Sequence, residues 1–146
     1  MKISLGADHR GLKFKEKIKS LLVAKGIETA DFGTSTESST DYPDYAIKAA
    51  QAVARKDADY GILICGSGNG MAITANKVKG IRAGLANNIE MARLARAHNN
   101  ANVLVLSEMF TPEDQIEAII NTFINTAFEG GRHARRIGKI TDYEKG

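Results

Sequence analysis

The 146-residue chain has one cysteine, no tryptophan and only two prolines. A lone cysteine cannot close an internal disulfide or supply a multi-thiolate metal site, so its thiol is either a small buried hydrophobe or a reactive group. Aromatic residues make up 6% of the chain, and no basic run is interleaved with them, which argues against a nucleic-acid surface. Charge of one sign is equally scarce: 20 basic residues against 17 acidic ones leave a net +3, too mild to call for a polyanionic partner. No apolar run approaches the length needed to span a bilayer. Met1-Lys2-Ile3-Ser4-Leu5-Gly6 lacks the layout of a signal peptide, so a cytoplasmic protein is expected. The one local excess of charge, Arg132, His133, Arg135, Arg136 and Lys139, meets no acid until Asp142 and suits a small anion better than a polymer.

What is present is an alternation of short apolar runs with amphipathic segments, all within the size of one domain, residues 1–146. The pattern predicts strands over Lys2–Ala7, 27–32, Tyr60–Cys65, 81–85 and 102–106. Helices are predicted over 12–25, 45–55, from about 71, over 88–98, from Thr111 to about Phe128, and over Arg132–Glu144. Thr111 is expected to cap its helix, with Pro112 in the first turn. Residues 33–44, rich in Ser, Thr and Asp, read as a loop. Strands and helices alternating in this way specify an α/β fold, a five-stranded parallel sheet flanked by helices in three Rossmann-like layers. Ligands of such sheets bind beyond the carboxyl ends of the strands, where Asp8-His9-Arg10, Cys65–Gly70 and Leu85–Asn88 are expected to converge on one cleft.

The strongest local signal is Gly61-Ile62-Leu63-Ile64-Cys65-Gly66-Ser67-Gly68-Asn69-Gly70-Met71, a strand emptying into a glycine loop at the start of a helix. The glycine spacing is neither the dinucleotide fingerprint nor a P-loop. The loop is either a tight turn or a nest of amides for an anion. Cys65 at a helix N-terminus is expected to have a lowered pKa and to act as a base between adjacent carbons, the amides stabilising an enediolate. Asp8 is either an N-cap or a carboxylate for substrate hydroxyls. His98-Asn99-Asn100 is either a polar helix end or a proton donor with its neighbours. Arg132 and Arg136, four apart, share a helix face and form either a solvated patch or a phosphate clamp. Tyr42, in Asp41-Tyr42-Pro43-Asp44-Tyr45, belongs either to a turn or to a lid over a ligand.

Taken together, Gly6-Ala7-Asp8-His9, Asp41-Tyr42-Pro43-Asp44-Tyr45, Ile64-Cys65-Gly66-Ser67-Gly68-Asn69-Gly70, Ala75-Asn76-Lys77, Gly80-Ile81-Arg82-Ala83, His98-Asn99-Asn100-Ala101-Asn102 and Gly130-Gly131-Arg132-His133-Ala134-Arg135-Arg136 resemble the type B ribose-5-phosphate isomerases. That family also holds allose-6-phosphate isomerase and the subunits of galactose-6-phosphate isomerase. The resemblance runs along essentially the whole chain. It implies a Rossmann-like fold and an aldose–ketose isomerase working through an enediol, without metal or cofactor, as a homodimer or dimer of dimers. It implies Cys65 as the base, with Ser67 near the reacting carbons, and Asp8 and His98 as helpers of ring opening. Gly66, Gly68, Asn69 and Gly70 are implied as the anion hole, and Tyr42 and Asn99 as substrate contacts. His9, Arg132 and Arg136 are implied as phosphate ligands, the arginines coming from a neighbouring subunit.

One position departs from the family pattern. After Val103-Leu104-Val105-Leu106 the family carries a small-residue pair and then a phosphate-binding arginine, whereas Ser107-Glu108-Met109 here puts a thioether in that place. Arg10 is the expected substitute for the lost charge. Ribose 5-phosphate is the expected substrate. A six-carbon sugar phosphate and a non-catalytic phosphosugar-binding role are the alternatives.

Overall fold

The computed structural model describes residues Met1–Gly146. Five strands form one sheet: β1 Lys2–Ala7, β2 Glu28–Asp31, β3 Tyr60–Cys65, β4 Ala83–Leu85 and β5 Val103–Ser107. All pairings are parallel, in the spatial order β2-β1-β3-β5-β4. The helices are α1 Leu12–Ala24, α2 Tyr42–Ala54, α3 Asn69–Asn76, α4 Ile89–Ala97, α5 Ile116–Asn125 and α6 Arg132–Glu144. The expected three-layer α/β architecture is therefore present.

Side-chain alternation along the strands builds a core on each face of the sheet. Ile3, Leu5, Ile62, Ile64, Leu104 and Leu106 pack against α1, α4 and α5. Leu63, Cys65, Val103 and Val105 pack against α2 and α3. The second face is built for close approach: α2 offers Ala46, Ala49, Ala50 and Ala52, and the Ser4 hydroxyl donates to the Ala49 carbonyl at 2.9 Å. Cys65 is thus a core residue on its buried side and the last residue of its strand on the other.

Strand order reverses between β1 and β3, so their carboxyl ends open a crevice. Asp8 and His9 follow β1 there, and the Gly66–Gly70 loop follows β3.

Several element ends differ from the sequence-based expectation, each for a local reason. Helix α2 begins at Tyr42 rather than 45, because Pro43 fits the first turn and Asp41 holds the extended backbone of an N-cap. Helix α3 begins at Asn69, directly after Gly68 in the left-handed region at φ +84°. Thr111 does not cap a helix. Its hydroxyl accepts the Ser107 N–H at 3.0 Å and donates to Asn87 Oδ1 at 3.1 Å. Pro112 is extended, Glu113–Gln115 forms a single 3₁₀ turn, and α5 ends at Asn125, three residues short of the expected Phe128.

An interaction that sequence periodicity gives no hint of ties the β2–α2 loop down. Lys15, on α1, is 1% exposed. Its ammonium donates to both oxygens of Asp31, at 2.9 and 3.1 Å, and to the Thr34 carbonyl at 2.8 Å.

Candidate active site

The crevice is assembled from backbone geometry first. At the end of β1, Asp8 Oδ1 accepts the N–H groups of Arg10 and Gly11 at 3.0 and 3.1 Å, so its side chain caps the turn into α1. Gly11 is required there by close approach, since a Cβ would stand 2.4 Å from the Ile64 carbonyl oxygen. His9 is held from the 33–41 loop: its N–H donates to Thr40 Oγ1 and its Nδ1 accepts the Thr40 N–H, both at 3.1 Å. An Nδ1 that accepts carries no proton, which leaves the Nε2–H of the neutral ring as a donor toward an anion.

Cys65 is 4% exposed. It ends β3 beside the N-terminus of α3, where the Met71, Gly68 and Gly70 amides act to lower its pKa. Burial nevertheless pushes the thiol up, and the nearby Asp8 carboxylate adds to this, the three amides offsetting only part. The expected lowering of the Cys65 pKa is thereby corrected: a thiol in the core face of a sheet loses more hydration than the loop amides return.

The glycine loop is shaped by Gly68, whose left-handed backbone turns the chain into α3, and by Ser67 Oγ, which accepts the Asn69 N–H at 3.2 Å. Above the loop the Tyr42 ring covers Gly70 so closely that a Cβ there would lie 2.5 Å from the ring edge. Tyr42 is 40% exposed and stands as a wall of the crevice. On the other side Arg10 passes over Gly66 and pairs with Glu108 at 2.9 Å. Arg10 is thus engaged by the acid beside Met109, and that pair is a feature sequence reasoning missed. Asn87, in the Leu85–Asn88 segment expected at this edge, accepts the Ser107 hydroxyl on its Oδ1 at 2.8 Å.

Asp8, His9, Tyr42, Cys65, Ser67 and the glycines therefore share one edge of the sheet. His98, Asn99, Arg132 and Arg136 do not. His98 follows α4, which runs antiparallel to the strands, so it lies before β5, at the amino edge. Asn102 marks that edge, its carbonyl accepting the N–H of Gly61 near the start of β3 at 3.0 Å. From Gly61 to Cys65 the extended strand spans roughly 13 Å. The cleft expected from Asp8-His9-Arg10, Cys65–Gly70 and Leu85–Asn88 is therefore present at the carboxyl edge, with Arg10 over Gly66 and Leu85 against Gly68, while His98, Asn99, Arg132 and Arg136 of the same chain lie at the opposite edge.

At the amino edge the His98 and His133 rings stack with centroids 4.2 Å apart and planes 10° from parallel. Desolvation, with His98 and Arg132 close by, holds the His133 pKa below its ordinary value, the Glu129 carboxylate opposing this. Arg132 and Arg136 are exposed and unpaired with any acid. Of the 13 residues of α6 only His133 is buried, while Ile140 and Tyr143 are 56% and 89% exposed. Beneath the helix, Ile137 and Ile140 face Ile81, Ala83 and Ala95 across a groove of about 400 Å³.

Fold and site define a class: a Rossmann-like α/β enzyme with a thiol and an amide nest at the switch point of its sheet. Residues 3–140 match the ribose/galactose isomerase family. The chain is 42% identical to ribose-5-phosphate isomerase B of Escherichia coli, over 99% of this chain and 97% of that one. Among solved structures it is similar to ribose-5-phosphate isomerase B of Clostridium thermocellum, with TM-score 0.97 and 48% identity over 99% of this chain and 98% of that one. The Mycoplasma genitalium enzyme, solved with bound ribulose 5-phosphate, has TM-score 0.94 and 44% identity, covering 99% of this chain and 96% of that one. The chain belongs to the ribose/galactose isomerase family, and so is an isomerase.

Proposed function

We propose that the protein interconverts ribose 5-phosphate and ribulose 5-phosphate, with Cys65 as the base. The observation that carries this reading is the Cys65 thiol at the end of β3, leading directly into the Gly66–Gly70 loop and the N-terminus of α3. The Cys65 thiolate takes the proton from carbon 2 of the open-chain aldose and returns it to carbon 1. The adjacent oxygens exchange one proton, so the reaction balances without an external oxidant or reductant. The Gly66–Gly70 amides, with Ser67 and Asn69 at the loop, stabilise the enediolate as it forms. A buried thiol gives up its proton at an energetic cost of about 1.4 kcal/mol per pKa unit, and the same burial makes the thiolate, once formed, a stronger base.

Phosphate falls to the Nε2–H of His9 together with Arg132 and Arg136, and ring opening to Asp8 and His98. Because His98, Asn99, Arg132 and Arg136 lie on the edge remote from Cys65, a complete site needs the amino edge of a second copy to face the carboxyl edge of the first. The exposed apolar residues of α6 support this pairing, since a helix with one buried residue has little holding it to its own chain. The working unit is a homodimer, or a dimer of dimers, with shared sites. Met109 leaves no side-chain donor where the family places an arginine, and Arg10 already spends part of its guanidinium on Glu108, which weakens it as a substitute.

Isomerisation of ribose 5-phosphate, allose 6-phosphate and galactose 6-phosphate by wild type and Cys65→Ala tests the reading. Turnover of the pentose phosphate that disappears in Cys65→Ala is expected. Preference for a hexose phosphate refutes the substrate, and turnover surviving Cys65→Ala refutes the base.

A further inference from the structure

Beside His98, the amino edge carries two donor groups, Glu129 and His133, that isomerisation does not account for. His98 closes α4, Glu129 lies between α5 and α6, and His133 stands in the first turn of α6. His98 Nε2 and His133 Nε2 each lie 3.6 Å from Glu129 Oε1, and the three atoms lie within 4.8 Å of one another. His133 is 8% exposed, and its Nε2 is shielded from solvent without a hydrogen-bond partner. A buried imidazole nitrogen left unsatisfied is uncommon and points to a missing ligand. The backbone holds the cluster in place: the Glu129 N–H donates to the Ala97 carbonyl at 3.0 Å, and the His133 N–H to the Gly130 carbonyl at 3.1 Å.

We propose that His98, Glu129 and His133 bind a transition-metal dication of the Zn²⁺ class. Two imidazole nitrogens and one carboxylate oxygen are a donor set suited to zinc, leaving a fourth position for water. Bonds of about 2.0–2.2 Å in a tetrahedral arrangement place donor atoms about 3.4 Å apart, close to the 3.6 Å separations already present. The stacked rings must tilt for both lone pairs to converge, and His98, at a helix end and 36% exposed, has room to do so. A single oxygen donor disfavours Mg²⁺ and Ca²⁺, which take mostly oxygen ligands. A bound ion takes the His98 nitrogen out of use, so zinc inhibits the isomerase. That consequence rests on the ring-opening role proposed for His98, whereas metal binding itself does not.

The test is calorimetric titration of the intact protein with Zn²⁺, alongside the visible spectrum of added Co²⁺. Wild type, Cys65→Ser, Glu129→Gln and His133→Ala are compared. One ion per chain and a tetrahedral-type Co²⁺ spectrum are expected in wild type and Cys65→Ser. Binding at least tenfold weaker in Glu129→Gln, and lost in His133→Ala, completes the expectation. Absent binding, binding unchanged in Glu129→Gln, or binding lost only in Cys65→Ser overturns the site. Glu129 is half exposed and its substitution leaves the fold intact, so that variant decides even where His133→Ala misfolds. Zinc that binds these residues yet leaves isomerisation untouched sinks the His98 role and keeps the metal site.

Discussion

Asp31→Asn isolates the most consequential polar contact outside the crevice. The substitution removes the carboxylate charge facing the Lys15 ammonium, leaving it an amide oxygen in that place, the Thr34 carbonyl at 2.8 Å and Glu16 at 3.3 Å. Breaking one half of a buried pair costs about 3–5 kcal/mol, because the surviving charge stays buried. Glu16 is 56% exposed and solvent screens it, so it recovers little, and a loss of about 3 kcal/mol is expected. For a chain of this size that corresponds to a melting temperature lower by roughly 6–12 °C. Urea unfolding should show the midpoint falling with an unchanged m-value. The double variant Lys15→Met/Asp31→Asn, which removes both charges, should be at least about 1 kcal/mol more stable than Asp31→Asn alone. The pH dependence has a definite sign. Burial acts to raise the Asp31 pKa, but the Lys15 ammonium, the Gly33 N–H and Lys19 outweigh it and hold the carboxyl below its ordinary value. The stability it contributes is therefore complete above the unfolded carboxylate pKa of about 3.9 and is lost as pH falls through the lower folded value. Wild type should lose stability more steeply than Asp31→Asn below that pH. A loss under about 1 kcal/mol in Asp31→Asn, or a double variant less stable than the single one, would refute the reasoning.

Three further outcomes follow from the crevice. Because burial holds the Cys65 thiol up, its alkylation by iodoacetamide should accelerate about tenfold per pH unit through pH 8 and beyond; a rate already level at pH 7 contradicts the raised pKa. Gly68→Ala places a Cβ in left-handed backbone at φ +84° and 2.5 Å from Leu85 Cδ1, so urea unfolding should register about 1–3 kcal/mol of destabilisation together with a lower kcat. Arg10→Ala should change inhibition by inorganic phosphate less than about fivefold, the span of an exposed ion pair, since Glu108 already occupies Arg10; a larger loss would return Arg10 to the phosphate site.

Much of the fold is legible in the chain because parallel strands buried on both faces read as apolar runs, and glycines punctuate them. The carboxyl-edge residues of the candidate site are legible for the same reason: Asp8 directly follows one strand and Cys65 ends another. Helix starts are harder, since Tyr42 and Asn69 enter their helices through Pro43 and Gly68, whose effect depends on backbone geometry. Lys15 sits among Lys13, Lys17 and Lys19 in α1 with nothing local to mark it as buried; only the tertiary approach of Asp31 does so. The separation of His98 from Cys65 had a usable sign. His98 follows a helix rather than a strand, and in a parallel sheet that places it at the opposite edge.

The central claim is that each active site joins the Cys65 edge of one chain to the His98 edge of another. Mixing Cys65→Ala with His98→Ala, each inactive alone, under conditions that exchange subunits tests it. Random pairing makes half the dimers mixed, and each mixed dimer holds one site with both halves intact, so about one quarter of wild-type activity should return. Two inactive variants that stay inactive after verified exchange would contradict the shared site.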